Sequence, residues 1–448
     1  MSFARSAAAP VRSAVRSAAV QQRSFSTAKA GSINVAAADD GALTSAVTVA
    51  IKAGSRYESV PGVAHVLKNY LFKSNDKRSA LRLVREAEFY GGVLSTALTK
   101  EHLILTAEFL RGDEDFFVEI LGDAVSKSKF APHEFYEEVM PQVVAEHLQA
   151  SASPEVLGLD ALLQTAYRQR GLGASLFASP ATPVSHKDTV AFAKGAFAKN
   201  NIAVLGSGIE SGKLSSLVSK HFGGLAESAS VSAAPAKYFG GEQRIAFVAP
   251  HGAEETRASL GHFVIGFEGA GHQDASASAE LAVLRSLLGG ESSIKWSRGT
   301  SPLSQIADKV AGAEARSFNL TFSDSGVFGV HVSAPHARVL EATKAATNAF
   351  KEVAGGVSSD DLTKAIAKAK YEQAAALESS RLASHEAVAG QLLEGGKVAS
   401  LDDKVAQLEA VSKDSLAKVV EKLVGKSAKP TTVAIGNVHV LPYADEVL

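Results

Sequence analysis

The sequence predicts an α+β protein of two tandem homologous units, each an α/β sandwich in which a mainly antiparallel sheet packs against helices. Two observations carry this reading. The order helix, strand pair, long helix occurs over 79–126 and returns over 276–353. A helix leading into a short apolar strand then closes each half, at 193–206 and at 417–436. With 448 residues, the chain can form two cores of about 200 residues each.

Taken in order, residues 42–53 alternate small, β-branched and apolar side chains and read as a strand. It delivers the turn Gly54-Ser55-Arg56-Tyr57-Glu58. Pro61 suits the first turn of a helix, where its missing N–H costs nothing, so a helix is expected over 61–72. A second helix over 79–90 stops at Gly91-Gly92. Strands at 93–99 and 103–111 meet at Lys100-Glu101, and Asp113 caps a helix over 114–126. Helices follow at 133–149, where Pro141 predicts a kink, and at 154–170 and 186–199. A short buried strand at 201–206 and a helix at 211–222 complete the first unit, 33–226, after a short polar start.

Residues 227–243, with Ala-Ser repeats, Pro235 and Gly240-Gly241, read as a linker, although 236–242 is aromatic enough to pack on a domain. The second unit, 244–448, reads as strands at 244–249 and 262–268, then helices at 276–288 and 302–311. A strand pair follows at 315–322 and 326–333. Helices at 336–353, 359–377, 381–393, 401–410 and 413–423 precede a last strand at 431–436.

Composition excludes several function classes. Without cysteine, the chain can hold no disulfide, thiol nucleophile, Cys-type zinc site or iron–sulfur cluster. No run of about 18 apolar residues marks a membrane span. Residues 1–28 hold Arg5, Arg12, Arg16 and Arg23 among alanines and serines, with no acid before Asp39, the pattern of a mitochondrial transit peptide. Arg23-Ser24-Phe25-Ser26-Thr27 reads as its cleavage region, with the mature chain starting between Phe25 and Ala28. Removing four arginines from a formal net charge of −1 leaves −5, which gives no electrostatic case for nucleic acid. The basic run 73–85 reads as a solvated helix face. Gly266, Gly269 and Gly271 lack the strand-to-helix context of a phosphate loop, and His385-Glu386 lacks a partner at i+4.

The strand ending in Gly54-Ser55-Arg56-Tyr57-Glu58, the helix opening Pro61-Gly62-Val63-Ala64-His65 and the second helix ending in Gly91-Gly92 resemble the pitrilysin-like, inverted-motif zinc peptidases. That family has a tandem architecture of this kind. Its helix carries His-x-x-Glu-His: two histidines at i and i+4 bind zinc from one helical face, and the glutamate takes a proton from the metal-bound water. Here the same helix reads His65-Val66-Leu67-Lys68-Asn69. The resemblance places the family's third ligand at Glu146, 77 residues beyond Asn69. His65 and Glu146 therefore match, while Lys68 replaces the base and Asn69 the second histidine. An amide is a poor zinc ligand and an ammonium repels the dication, so these four positions are expected to be vestigial: no catalytic, metal or cofactor residue. The same geometry implies Lys68 within salt-bridge range of Glu146.

Two readings of function follow from the resemblance. The first is a non-catalytic structural subunit of the mitochondrial ubiquinol–cytochrome c reductase, peripheral on the matrix side of the inner membrane. It would pair with a homologous core or processing-peptidase β-like subunit, beside cytochrome b, cytochrome c1 and the Rieske protein. Haem b, haem c and the Rieske iron–sulfur cluster would then sit on those partners. Supporting segments are Lys237-Tyr238 with Gly240-Gly241-Glu242, Ser292-Ser293-Ile294-Lys295-Trp296-Ser297, Ser323-Asp324-Ser325-Gly326-Val327-Phe328-Gly329 and the ending 442–448. The alternative is the substrate-binding α subunit of the mitochondrial processing peptidase. That role requires a long glycine-rich loop, whereas 288–300 holds only Gly289, Gly290 and Gly299, with Trp296 among them. The matching region 305–316 also has no tyrosine for a scissile bond, and Arg316 falls beyond the expected place.

Overall fold

A computed structural model describes residues 25–228, 230–248, 260–290, 296–297, 299–425 and 428–448. Residues 1–24, which hold the arginines of the expected leader, the segment 249–259 and the loop positions 291–295 and 298 lie outside the described residues.

The first sheet contains β1 (Ser26–Ala30), β2 (Ile33–Ala38), β3 (Thr44–Ile51), β4 (Val93–Leu98), β5 (Leu103–Leu110) and β6 (Ile202–Ser207). The second contains β7 (Gly241–Ala246), β8 (Leu260–Glu268), β9 (Glu314–Thr321), β10 (Gly326–Pro335) and β11 (Thr431–Gly436). Their orders are β1-β2-β6-β3-β5-β4 and β7-β11-β8-β10-β9. Leaving out the edge strand β1, the two orders correspond strand for strand. In each, a single parallel pair, β2 with β6 or β7 with β11, adjoins antiparallel neighbours. The predicted repeat is therefore a repeat of topology.

Both faces of each sheet are covered, so the central strands carry apolar residues on both sides. In the first, Val47, Val49, Leu105 and Val204 face the helix layer of their own half, while Ala36, Ala50, Ala203 and Leu205 face the other way. That second face is covered from the opposite half. The helix Arg381–Gly395 lays Val388, Ala389 and Leu392 on the first sheet. Reciprocally, the helix Pro154–Ala166 lays Ala161, Leu162 and Ala166 on Val264, Val433 and Ile435 of the second. Each half thus lends one helix to its neighbour, and the two sheets are cross-braced.

The linker is equally committed. Tyr238 is buried, its hydroxyl bonding the Gly266 carbonyl at 3.0 Å and Thr431 Oγ1 at 2.7 Å. Arg168 lies over the Phe239 ring at 4.1 Å. Gly241–Gln243, read from sequence as linker, already belong to β7.

The structure also departs from the sequence reading in three other places. β1 and β2 replace the polar start: Ala36-Ala37-Ala38 is too small to read as a strand, yet small residues are what close packing of a crossing helix requires. The helix over 302–311 shrinks to Ile306–Lys309, because the Ser301 hydroxyl bonds the Gly290 N–H and Ser304 instead of leaving the backbone to coil. The 133–149 helix is interrupted by a π-helical turn at Phe135–Val139 just before Pro141, whose missing N–H cannot complete a regular turn. No helix among the described residues is long and apolar enough to cross a membrane.

Candidate functional site

Helix α1 (Val63–Tyr70) buries Val63, Val66 and Tyr70 against Phe135, Val139 and Val143. The spacing i, i+3, i+4 puts His65, Lys68 and Asn69 on its other face, toward the helix Met140–Ser151 that carries Glu146. The four predicted positions do meet. Glu146 Oε2 accepts from His65 Nε2 at 2.6 Å, Lys68 Nζ at 2.6 Å and Asn69 Nδ2 at 3.1 Å. Its other oxygen accepts from Gln142 at 3.2 Å. The expected ion pair of Lys68 with Glu146 is present.

The imidazole is fully engaged. The Ala178 N–H donates to His65 Nδ1 at 3.0 Å, so Nδ1 carries the lone pair and Nε2 the proton given to Glu146. Burial lowers the His65 pKa, against the opposing pull of Glu146, and keeps the ring neutral. Burial also pushes Glu146 up, but hydrogen bonds from Lys68, Asn69, His65 and Gln142 prevail and hold it down at about 2. The result is a carboxylate already engaged by four side-chain donors, with an ammonium where the resembled peptidases carry a base. Among the described residues, no group of three or more His, Cys, Asp and Glu is placed to hold a metal.

A second constellation joins the halves. The turn after β3 presents Arg56, whose guanidinium bonds Glu101 at 2.7 Å and both oxygens of Asp324 at 2.7 Å. Ser323 closes the group: its backbone N–H donates to Glu101 at 3.0 Å, its hydroxyl to the other Glu101 oxygen at 2.5 Å. Gly54 lets the turn reach this place, since a Cβ there would stand 2.4 Å from the backbone of Lys100 and Glu101. Burial lowers the Arg56 pKa, yet Asp324 and Glu101 outweigh it and raise it, so the group stays cationic. Sequence reasoning marks both segments, Gly54–Glu58 and 323–329, as carriers of the family resemblance, but gives no sign that they touch. Nearby, the buried Lys100 ammonium bonds Asp160 at 2.7 Å and the Ala174 carbonyl at 2.6 Å, anchoring the helix Pro154–Ala166.

In the second half Arg316 pairs with Glu155 across the seam. The Gly289-Gly290 turn is pinned rather than loose: Ser317 N–H bonds the Gly289 carbonyl at 3.1 Å, and a Cβ on Gly290 would meet the Ala315 carbonyl at 2.2 Å. The basic run is neutralised locally, Arg78 meeting Glu86 at 2.6 Å and Lys73 meeting Glu138 at 2.5 Å.

Residues 34–179 match the family described as Insulinase (Peptidase family M16), and 183–369 match the Peptidase M16 inactive domain. Over its length the chain is 44% identical to cytochrome b-c1 complex subunit 2 of Cryptococcus neoformans, covering 96% of both proteins. The chain belongs to the cytochrome b-c1 complex subunit 2 family. Neurospora crassa subunit 2 is 36% identical, over 96% of this chain and 92% of its own, and human subunit 2 is 28% identical over 92% and 89%. As a subunit 2 family member, the chain is a non-catalytic peptidase homologue, with tandem M16 units retained as architecture.

Proposed function

We propose that the chain is a structural core subunit of mitochondrial ubiquinol–cytochrome c reductase, supporting assembly and stability of the complex. One observation carries this: similarity to cytochrome b-c1 complex subunit 2 that runs through both units and the linker, over 96% of the chain. The engaged Glu146 supports it from the chemical side, because Lys68, Asn69 and His65 occupy the carboxylate oxygen that faces the position of the base. On this reading His65, Lys68, Asn69 and Glu146 are a vestigial site without metal.

The subunit pairs with a homologous core or processing-peptidase β-like partner and stands beside cytochrome b, cytochrome c1 and the Rieske protein. Haem b, haem c and the iron–sulfur cluster belong to those partners. It is peripheral on the matrix side, reached through a leader within residues 1–28. Native separation of mildly solubilised mitochondrial membranes tests the assignment: the chain co-migrates with b- and c-type haem absorbance. Migration in a smaller, haem-free heterodimer would overturn it in favour of the processing-peptidase α subunit.

A further inference from the structure

The second half holds a cavity that its own side chains leave open. About 310 Å³ lies between the second sheet and the helix Val339–Ala354. Ile265 and Phe267 of β8 and Val330 of β10 form its floor. Ala346, Thr347 and Phe350 of the helix form one wall, and Val424, Ala428 and Pro430 another. The floor and the helix wall are buried. Protein interiors leave few voids larger than one water, whereas small-molecule pockets begin at about 300 Å³.

The repeat of topology shows where the space arises. In the first half β6 is followed by the twelve-residue helix Ser211–Phe222, which packs on the helix Glu114–Ser126 and buries Leu214, Val218 and Phe222. Beneath them Phe117 stacks flat on Phe109, with 4.5 Å between ring centres. In the second half β11 is followed by the four-residue helix Ala444–Val447, which reaches the helix Val339–Ala354 but buries Val447 alone. Phe350 meets Phe267 and Phe328 edge to face at 5.9 and 6.1 Å, and the space beside it stays open.

The lining decides what fits. The Thr347 hydroxyl is turned back on its own helix, toward the carbonyls of Thr343 at 3.3 Å and Lys344 at 3.0 Å. A buried water needs about two to four polar partners, so an apolar tail suits this space better than water does. Lys351 also lines the cavity, and its side chain is exposed. Among the described residues no carboxylate pairs with it. An apolar chamber with an uncommitted ammonium beside it is complementary to a molecule with a hydrocarbon tail and a negative head.

We propose that this cavity binds the alkyl tail of a fatty carboxylate, whose head lies at the Lys351 ammonium. Ile265, Phe267, Val330 and Phe350 take the tail out of water, which supplies most of the affinity. The ion pair is open to solvent and adds only a small factor, but it selects the anionic head over a neutral one. Every lining residue belongs to the second unit, so the site does not depend on which complex the chain joins.

The test is photolabelling of the assembled complex, purified from mitochondria and held in amphipol, with decanoate that carries a diazirine in its tail. Expected is label on the cavity residues of β8, β10 and the helix Val339–Ala354. Unlabelled decanoate should displace it about two- to fivefold more tightly than decanol, the factor an exposed ion pair commands. Lys351→Gln should erase that difference and leave decanol binding unchanged. Ala346→Phe should fill the space and abolish the label. Equal displacement by decanoate and decanol, or a difference that persists in Lys351→Gln, overturns the head contact. Label spread over surface peptides, or retained in Ala346→Phe, overturns the cavity as the site. Should Ala346→Phe fail to assemble, the position of the label on the unaltered subunit decides, since label outside the cavity lining refutes the proposal by itself.

Discussion

Arg56 and Asp324, 268 positions apart, form a two-pronged ion pair at 2.7 Å per prong that closes the seam between the halves. Glu101 and Ser323 complete the group, so each charge has a partner. Removing one partner strands the other. Asp324→Asn is expected to cost about 2–3 kcal/mol in urea denaturation, below the usual range for breaking a buried pair because the Asp324 side chain is 22% exposed. Arg56→Met should cost more, since it leaves Glu101 and Asp324 facing each other. The double variant should fall well short of the sum, and strict additivity would show the pair to be energetically idle.

The vestigial site makes a sharper forecast. Lys68→Glu with Asn69→His restores two histidines at i and i+4 beside Glu146, the donor set that zinc takes in inverted-motif sites. After dialysis against zinc and then buffer, the double variant should retain one equivalent by elemental analysis, and the unaltered chain none. Lys68→Glu alone should also retain none, because Asn69 still fails as a ligand. One equivalent in the unaltered chain would sink the vestigial reading.

How far this was legible in the sequence follows from the range of the interactions. His65, Lys68, Asn69 and Glu146 could be placed because helical spacing and a family motif are local or fixed in separation. The strand pairs β4–β5 and β9–β10 were legible for the same reason: each is a hairpin with alternating apolar residues. The partnership of Arg56 with Asp324, and of His385 with Thr48 and Ser207, joins residues whose local patterns give no sign of one another. β2 was hidden by its alanines, whose role depends on a helix some 350 positions later. What local pattern cannot carry is which half a helix covers.

Two glutamates near α1 should give opposite pH signatures. Glu146 is held at about 2 against an ordinary 4.5, so its contribution is complete above pH 4.5 and is lost as the pH falls through 2. Burial raises Glu58 to about 7, only partly countered by the Gly62 and Ala64 N–H groups; its contribution is complete below 4.5 and lost as the pH rises through 7. Glu146→Gln should therefore flatten the acid limb of a stability profile. Glu58→Gln should instead gain on the unaltered chain between pH 5 and 8. The Oε1 of Glu58 is buried without a partner, in keeping with a group that gives up its charge readily. Parallel profiles for the Glu58 variant and the unaltered chain would show that the carboxyl is not desolvated as described.

His385 separates the cross-bracing from ordinary packing. Its ring is buried with burial pushing its pKa down to about 3, so it serves as a neutral bridge between Thr48 on β3 and Ser207 on β6. Thr48 also meets Thr106 at 2.8 Å, so one imidazole completes a polar network inside an apolar face. His385→Ala removes the ring and leaves both hydroxyls short of a partner, for a loss of about 2–4 kcal/mol from cavity and desolvation together. His385→Gln keeps a donor and an acceptor on a shorter reach and should recover part of that loss, while His385→Leu refills volume alone. If the bridge matters, glutamine outperforms leucine in denaturation, and exchange of 381–395 slows in the same order. If the helix is held by Val388, Ala389 and Leu392 alone, leucine equals or exceeds glutamine, and the network is incidental to how the second half grips the first.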